Sequence, residues 1–268
     1  ALKHPLDLRG FYKELDGDNG LSVALNTKTG EVLALVSTPT YDSNDFIKGF
    51  SDEEWNKLNS DTNNPMLVRY QNTYVPGSSF KPITAAIGLT TGKMSADEDY
   101  GPSGLSWQNN SSWGNYRVTT LQTYSGPANL RNALIYSDNI YFAKSALKIG
   151  ADTFAQQLLK IGFDTEMPFA INMDKSQFAE NNTFASEVQL ADTGYGQGKL
   201  LVNPLHVAAI YSAFVNEGNI VKPYIEYNEN ATAEYWIEGA FSKEAAETVR
   251  DDMIQTIENA NGTGHEAK

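Results

Sequence analysis

Tyr74-Val75-Pro76-Gly77-Ser78-Ser79-Phe80-Lys81-Pro82 is a turn that opens into a helix. Pro76 and Gly77 punctuate the chain. Ile83, Ala85, Ala86 and Leu89 then follow at spacings that suit a buried helix. Ser78 and Lys81, three residues apart, share one face near the helix start. A serine hydroxyl is a weak nucleophile until a base takes its proton. A lysine serves as that base when burial or a nearby cation keeps part of its amine neutral. The helix start beside Ser78 favours negative charge, which suits the oxyanion formed if Ser78 attacks a carbonyl. Taken alone, Ser-x-x-Lys is a weak signal, and the pair far more often describes an N-cap serine and a solvated lysine.

Upstream, residues 1–20 are polar and mixed and form a lead-in segment. Leu21, Val23 and Leu25 alternate with polar or small residues, and the run Val32 to Val36 is apolar. The turn Asn26-Thr27-Lys28-Thr29-Gly30 between them predicts a β-hairpin over 21–37. Residues 38–73 look irregular, with a short helix near Asp52 to Leu58 capped by Ser51. Downstream, residues 94–126 are rich in Ser, Gly, Asn, Tyr and Trp. They read as long loops whose Trp107 and Trp113 either line a cleft or cover a core edge. A helix over Asn129 to Tyr136 breaks at Ser137-Asp138-Asn139 and resumes from Ile140 to Ile149. Either that break caps the second helix, or it presents a hydroxyl and an amide together.

Phe154 to Ile161 forms another helix, 163–190 is loop-rich, and Gly194-Tyr195-Gly196-Gln197-Gly198 is a tight turn. Asn203-Pro204 opens an apolar helix through Phe214. Ile220 to Tyr227 reads as a strand, with Pro223 marking a sheet edge or bulge. Ser242 begins a last helix with Ala245, Val249, Met253 and Ile257 on one face, a face expected to need a sheet to cover it. Strands thus lie at both ends and helices fill the middle. This order predicts a mixed α and β fold, with a sheet built from both ends around a helical insertion.

Composition narrows the function classes. The 268 residues suit one large domain or two closely packed ones. A formal net charge of −13 disfavours nucleic acid as a partner. With no cysteine there is no disulfide, thiolate metal site or cysteine nucleophile. His4, His206 and His265 are too far apart in sequence for a metal-ligand spacing, and His206 falls in a helix that reads as structural. No run of 18 apolar residues is long enough to span a membrane. Gly88 to Lys93 has the wrong glycine spacing for a phosphate loop, and Met94 replaces the needed hydroxyl. The 194–198 turn lacks the dinucleotide fingerprint.

Ser-x-x-Lys followed, some 60 residues on, by Ser-Asp-Asn is far more specific than either phrase alone. The sequence resembles the transpeptidase domain of penicillin-binding proteins, and more narrowly the class B, low-affinity group that includes the methicillin-resistance protein. The resemblance runs from about Leu21 to the C-terminus. It rests on Pro76-Gly77-Ser78-Ser79-Phe80-Lys81, Tyr136-Ser137-Asp138-Asn139-Ile140, Asp192-Thr193-Gly194-Tyr195-Gly196-Gln197-Gly198, Asn203-Pro204-Leu205, Trp107-Gln108 and Ser112-Trp113-Gly114.

The resemblance implies a β-lactamase/transpeptidase-like fold, in which helices flank an antiparallel sheet beside an all-helical subdomain. The domain is expected over 21–268, its sheet part from about 21–75 and 200–268 and its helical part from about 76–199. The implied activity is a penicillin-sensitive D,D-transpeptidase that cross-links peptidoglycan through a Ser78 acyl-enzyme. Lys81 would be the base, Ser137 the proton relay, and Asn139 the holder of both the substrate amide and the Lys81 side chain. The Ser78 N–H would be half of the oxyanion hole. Ser78, Ser137, Asn139 and Trp113 are the expected substrate-binding residues. No cofactor or metal is implied. The partners would be peptidoglycan stem peptides and β-lactams as covalent inhibitors, at an extracytoplasmic cell surface with a membrane anchor outside this chain. The alternatives are a β-lactam sensor domain, which stays acylated, and a serine β-lactamase, which needs a further base to activate water.

The family's third motif, Lys-Thr-Gly or Lys-Ser-Gly on a strand flanking the cleft, is expected beyond residue 268. The domain is accordingly expected to be incomplete at its C-terminus, with those strands elsewhere, for instance on a separate chain. Lys28-Thr29-Gly30 has the right residues but lies in the first hairpin turn, ahead of Ser78.

Overall fold

The computed structural model describes residues 19–268. The lead-in expected over 1–20 lies outside these, apart from Asn19 and Gly20. Strand β1 (Gly20–Leu25) pairs antiparallel with β2 (Val32–Thr38), with a bulge at Ala24/Leu25. The predicted hairpin therefore forms. Its period-2 pattern buries Ala34, Val36 and Thr38 on one face of β2. Lys28-Thr29-Gly30 is the hairpin turn, and Gly30 needs its glycine. Its φ is +84°, and an added Cβ would stand 2.2 Å from the Lys222 carbonyl oxygen.

Two short helices follow, α1 (Asp45–Lys48) and α2 (Asp52–Ser60). Ser51 and Glu54 form the capping box that starts α2. A 3₁₀ turn over Gly77–Phe80 leads into α3 (Lys81–Thr90), which is buried from Lys81 to Gly88. The loop beyond it carries a two-residue ladder, β3 (Ser106–Trp107) with β4 (Val118–Thr119). The middle of the chain is thus not purely helical.

Helices α4 (Leu130–Ile135), α5 (Asn139–Ile149) and α6 (Ala151–Lys160) come next. The segment expected to be loop-rich over 163–190 ends in the first turn of α7 (Glu187–Gly194), capped by Ser186. Asn203 caps α8 (Pro204–Ser212) through the Leu205 and His206 amides.

The strand expected over 220–227 is shorter. Only β5 (Ile220–Val221) pairs with β6 (Tyr235–Ile237). Pro223 has no N–H to continue the ladder. Tyr224 instead bridges to Glu31 beside the first hairpin.

The last helix, α9 (Lys243–Glu258), starts at the Ser242 cap. Ala245 and Val249 of the expected apolar face are buried where α9 packs against α3 and α4, whereas Met253 and Ile257 further along it are only partly buried. One apolar cluster runs through α3, α4, α5 and α8, with Phe80, Ile83, Ile87, Leu130, Phe142 and Ile210 fully buried. Among the described residues the strands form three two-stranded antiparallel sheets.

Candidate active site

The 3₁₀ turn places Ser78 at the surface and Lys81 in the interior, where Lys81 is 2% exposed. The Lys81 Nζ lies 3.0 Å from Ser78 Oγ, 2.8 Å from Ser137 Oγ and 2.7 Å from the Ser137 carbonyl oxygen. The two serine hydroxyls are 3.1 Å apart. Three residues from two sequence phrases thus close one polar triangle.

Burial pushes the Lys81 amine from 10.5 down to about 7, against the opposing pull of the Asp138 carboxylate. The Phe142 ring lies 5.9 Å from the nitrogen and forms part of that dry surround.

The break between α4 and α5 explains how one residue offers two acceptors. Ser137 has φ 52°, the left-handed region that costs an L-residue about 1–2 kcal/mol. That conformation turns both its carbonyl and its hydroxyl toward Lys81. Asp138, not Ser137, is the cap of α5: its Oδ1 accepts from the Ile140 and Tyr141 amides. Asn139 Nδ2 donates to the Thr119 carbonyl at 2.8 Å. The expected Asn139–Lys81 hydrogen bond is not formed. The three donors of a lysine ammonium are matched by Ser78 and Ser137 alone.

The glycine turn after α7 lies under the nucleophile. The Gly77 amide donates to the Gly196 carbonyl at 2.9 Å, and Thr84 Oγ1 donates to the Gly194 carbonyl at 2.8 Å. Gly196 has φ +86°, and a Cβ there would stand 1.8 Å from the Gly77 carbonyl oxygen. This close approach accounts for the glycine at 196.

Trp113 is 7% exposed, packs edge-on against Trp107, and donates from Nε1 to Glu187 at 3.0 Å. His206 is fully satisfied in the core, between Ser176 Oγ and the Ile161 carbonyl.

Ser78, Lys81 and Ser137 open on a cleft of about 260 Å³, whose other walls include Leu134, Tyr211, Met253, Ile257 and Thr263. Sequence reading missed these. Met253 and Ile257 read as the buried face of a helix, and Tyr211 as core, although its hydroxyl donates to the Ser79 carbonyl at 2.6 Å. A larger groove of about 500 Å³ lies between Thr29 and the 222–234 segment and contains none of these residues. The chemistry favours the smaller cleft. Among the described residues no group of side chains could hold a metal ion, and no helix is long and apolar enough to cross a membrane.

A family model for the penicillin-binding protein transpeptidase domain matches residues 20–268. Penicillin-binding protein 3 of Bacillus subtilis is 46% identical over 256 residues, covering 96% of this chain and 38% of that protein. The peptidoglycan D,D-transpeptidase MrdA of Haemophilus influenzae is 29% identical, covering 98% and 43% respectively. The chain therefore spans about two fifths of the length of these curated relatives. Among solved structures, the D,D-transpeptidase domain of a peptidoglycan glycosyltransferase from Eggerthella lenta superposes with a TM-score of 0.80 at 25% identity, over 97% of this chain and 66% of that one. A ceftriaxone acyl-enzyme complex of penicillin-binding protein A from M. tuberculosis superposes with a TM-score of 0.73 at 25% identity, over 85% and 54%. The mixed helical and antiparallel fold is the one these structures share.

Proposed function

The chain belongs to the penicillin-binding protein transpeptidase domain family, and on that premise we propose that it is the penicillin-sensitive D,D-transpeptidase part of a peptidoglycan cross-linking enzyme. The observation that carries the reading is the contact of a buried Lys81 amine with both serine hydroxyls. The Ser137 carbonyl can only accept, so one Lys81 N–H always faces it. A neutral amine then turns its lone pair to the Ser78 hydroxyl.

In the proposed reaction, Lys81 takes the Ser78 proton as Ser78 Oγ bonds to the carbonyl carbon of the D-Ala–D-Ala peptide bond. The resulting ammonium has three donors, and three acceptors already stand around it. The Ser78 amide, at the start of a helical turn, donates to the oxyanion. Lys81 hands the Ser78 proton to Ser137 Oγ, which passes its own to the departing D-Ala nitrogen as the C–N bond breaks. An acceptor amine then attacks the acyl-enzyme carbonyl, the ester bond to Ser78 Oγ breaks, and one of the amine's own protons goes to Ser78. Asn139 would hold the substrate amide from the rim. Trp113 would act by fixing the loop whose far end, at Thr119, receives Asn139. The relatives' names support an extracytoplasmic setting and peptidoglycan stem peptides as substrate. The M. tuberculosis complex supports β-lactams as covalent inhibitors. The class B, low-affinity placement belongs to the same proposal, as does the division into a sheet part (21–75, 200–268) and a helical part (76–199). The Tyr74–Val202 bridge, which joins the two stretches assigned to the sheet part, supports that division.

The test is intact-mass spectrometry with peptide mapping after penicillin treatment. A single adduct on Ser78, lost in Ser78→Ala, is expected. An adduct on Ser79 or elsewhere overturns the assignment.

A further inference from the structure

Residues 121–127 form an exposed loop with one partly buried residue, Tyr124. Its ring lies flat on Tyr136, with centroids 4.5 Å apart and planes 5° from parallel. Its hydroxyl donates to Asp138 Oδ2 at 2.9 Å. Tyr136 and Asp138 are the two residues on either side of Ser137. We propose that Tyr124 is a positioning residue for the Ser78 reaction, gripping both neighbours of Ser137 and so holding the turn that presents Ser137 to Lys81. The inference rests on the transpeptidase reading given above.

The strain at Ser137 makes such a grip necessary. A non-glycine residue in the left-handed region keeps that conformation only where its surroundings impose it. The carboxylate of Asp138, 7% exposed, has one oxygen committed to the α5 amides and the other to Tyr124. Removing Tyr124 leaves Oδ2 without its donor and Tyr136 without its stacking partner. Ser137 then loses its restraint on both sides, while Ser78 keeps its place on the 3₁₀ turn and Lys81 on α3. The Tyr124 phenol also remains a donor at working pH, because burial first, and the Asp138 charge second, push its ionisation far upward. Tyr124 touches neither Ser78 nor Lys81 in this arrangement and acts through Ser137.

The experiment compares Tyr124→Phe and Tyr124→Ala in the full chain, with and without Ser137→Ala. A chromogenic cephalosporin in stopped flow separates the non-covalent binding constant from the acylation rate constant. Each variant is measured well below its melting point. Tyr124→Phe keeps the stack and is expected to slow acylation by ~3–10-fold, the scale of one hydrogen bond, with binding unchanged. Tyr124→Ala is expected to slow it further. In the Ser137→Ala background, Tyr124→Phe is expected to add nothing. Wild-type acylation in Tyr124→Phe overturns the proposal, as does an equal loss in both backgrounds, which would mark a merely structural role. Labelling of Ser78 in the parent chain reports separately on the functional reading. If Ser78 is labelled and the Tyr124 variants are silent, only the positioning role falls.

Discussion

Lys81 donates to both the carbonyl and the hydroxyl oxygen of Ser137, a residue 56 positions away in the chain. One amine thus joins the start of α3, just after the turn that carries Ser78, to the strained turn between α4 and α5. Its position in a dry site near neutrality gives a pH signature. The amine loses its proton near pH 7, so acylation by a β-lactam should be slow at pH 5.5, rise through about 7 and level off above. Lys81→Arg keeps the charge but cannot act as a base. It should acylate ~10²-fold more slowly or worse. Near-normal acylation in that variant would show that another group takes the proton.

Gly196→Ala tests the backbone contact under the nucleophile. The substitution puts a methyl group against the Gly77 carbonyl in a left-handed conformation. A loss of about 2–4 kcal/mol is expected from strain and overpacking together, with labelling of Ser78 reduced in parallel. Gly92 has a similar φ of +66° but open space around it. Gly92→Ala should therefore cost only about 1 kcal/mol. Equal melting points for the two variants would remove the close approach as the cause.

Asn139→Ala separates chemistry from capping. Asp138 already caps α5, so removing the Asn139 amide should cost about 1 kcal/mol through the lost Thr119 hydrogen bond. Acylation should fall by more than ~10-fold if Asn139 also meets the substrate amide, a scale at or above one hydrogen bond. Melting temperature and acylation rate measured on the same sample decide between the two. Lost stability with unchanged acylation would leave Asn139 a structural residue.

His206 predicts an acid limit to folding. Burial holds its imidazole neutral down to about 4, whereas the unfolded chain protonates near 6.5. Between these values the unfolded state binds more protons, so stability falls as pH drops from 6.5 to 4. The full span amounts to about 3 kcal/mol. Urea titrations at pH 7 and pH 4 measure it. His206→Gln removes the titrating group and should flatten the dependence.

What the sequence made legible was local. Caps and turns are decided by a few adjacent side chains, so Ser51, Asn203, Ser242 and the hairpin turn read correctly. The Ser-x-x-Lys and Ser-Asp-Asn phrases named residues that the fold brings together. The partners of those residues were not legible. Asn139 finds a carbonyl on β4, Tyr211 finds one on the nucleophile turn, and Trp113 finds a carboxylate on α7. Such pairings depend on how distant segments pack, which no local pattern records. The α9 face was legible only in part: periodicity marks Ala245 and Val249 as buried, but not that α3 and α4 cover them or that Met253 and Ile257 line the cleft.

The hydrogen bond from Thr84 to Gly194 spans 110 residues of chain. During synthesis at ordinary ribosomal speed, the helix bearing Ser78 therefore exists for on the order of 10 s before its supporting turn has been made. For that interval Ser78 and Lys81 belong to a nascent segment without the surroundings that set their chemistry. Reactivity toward an acyl donor should consequently appear late and abruptly in a series of stalled nascent chains, once Gly194 to Gly198 have left the exit tunnel, instead of growing in step with chain length.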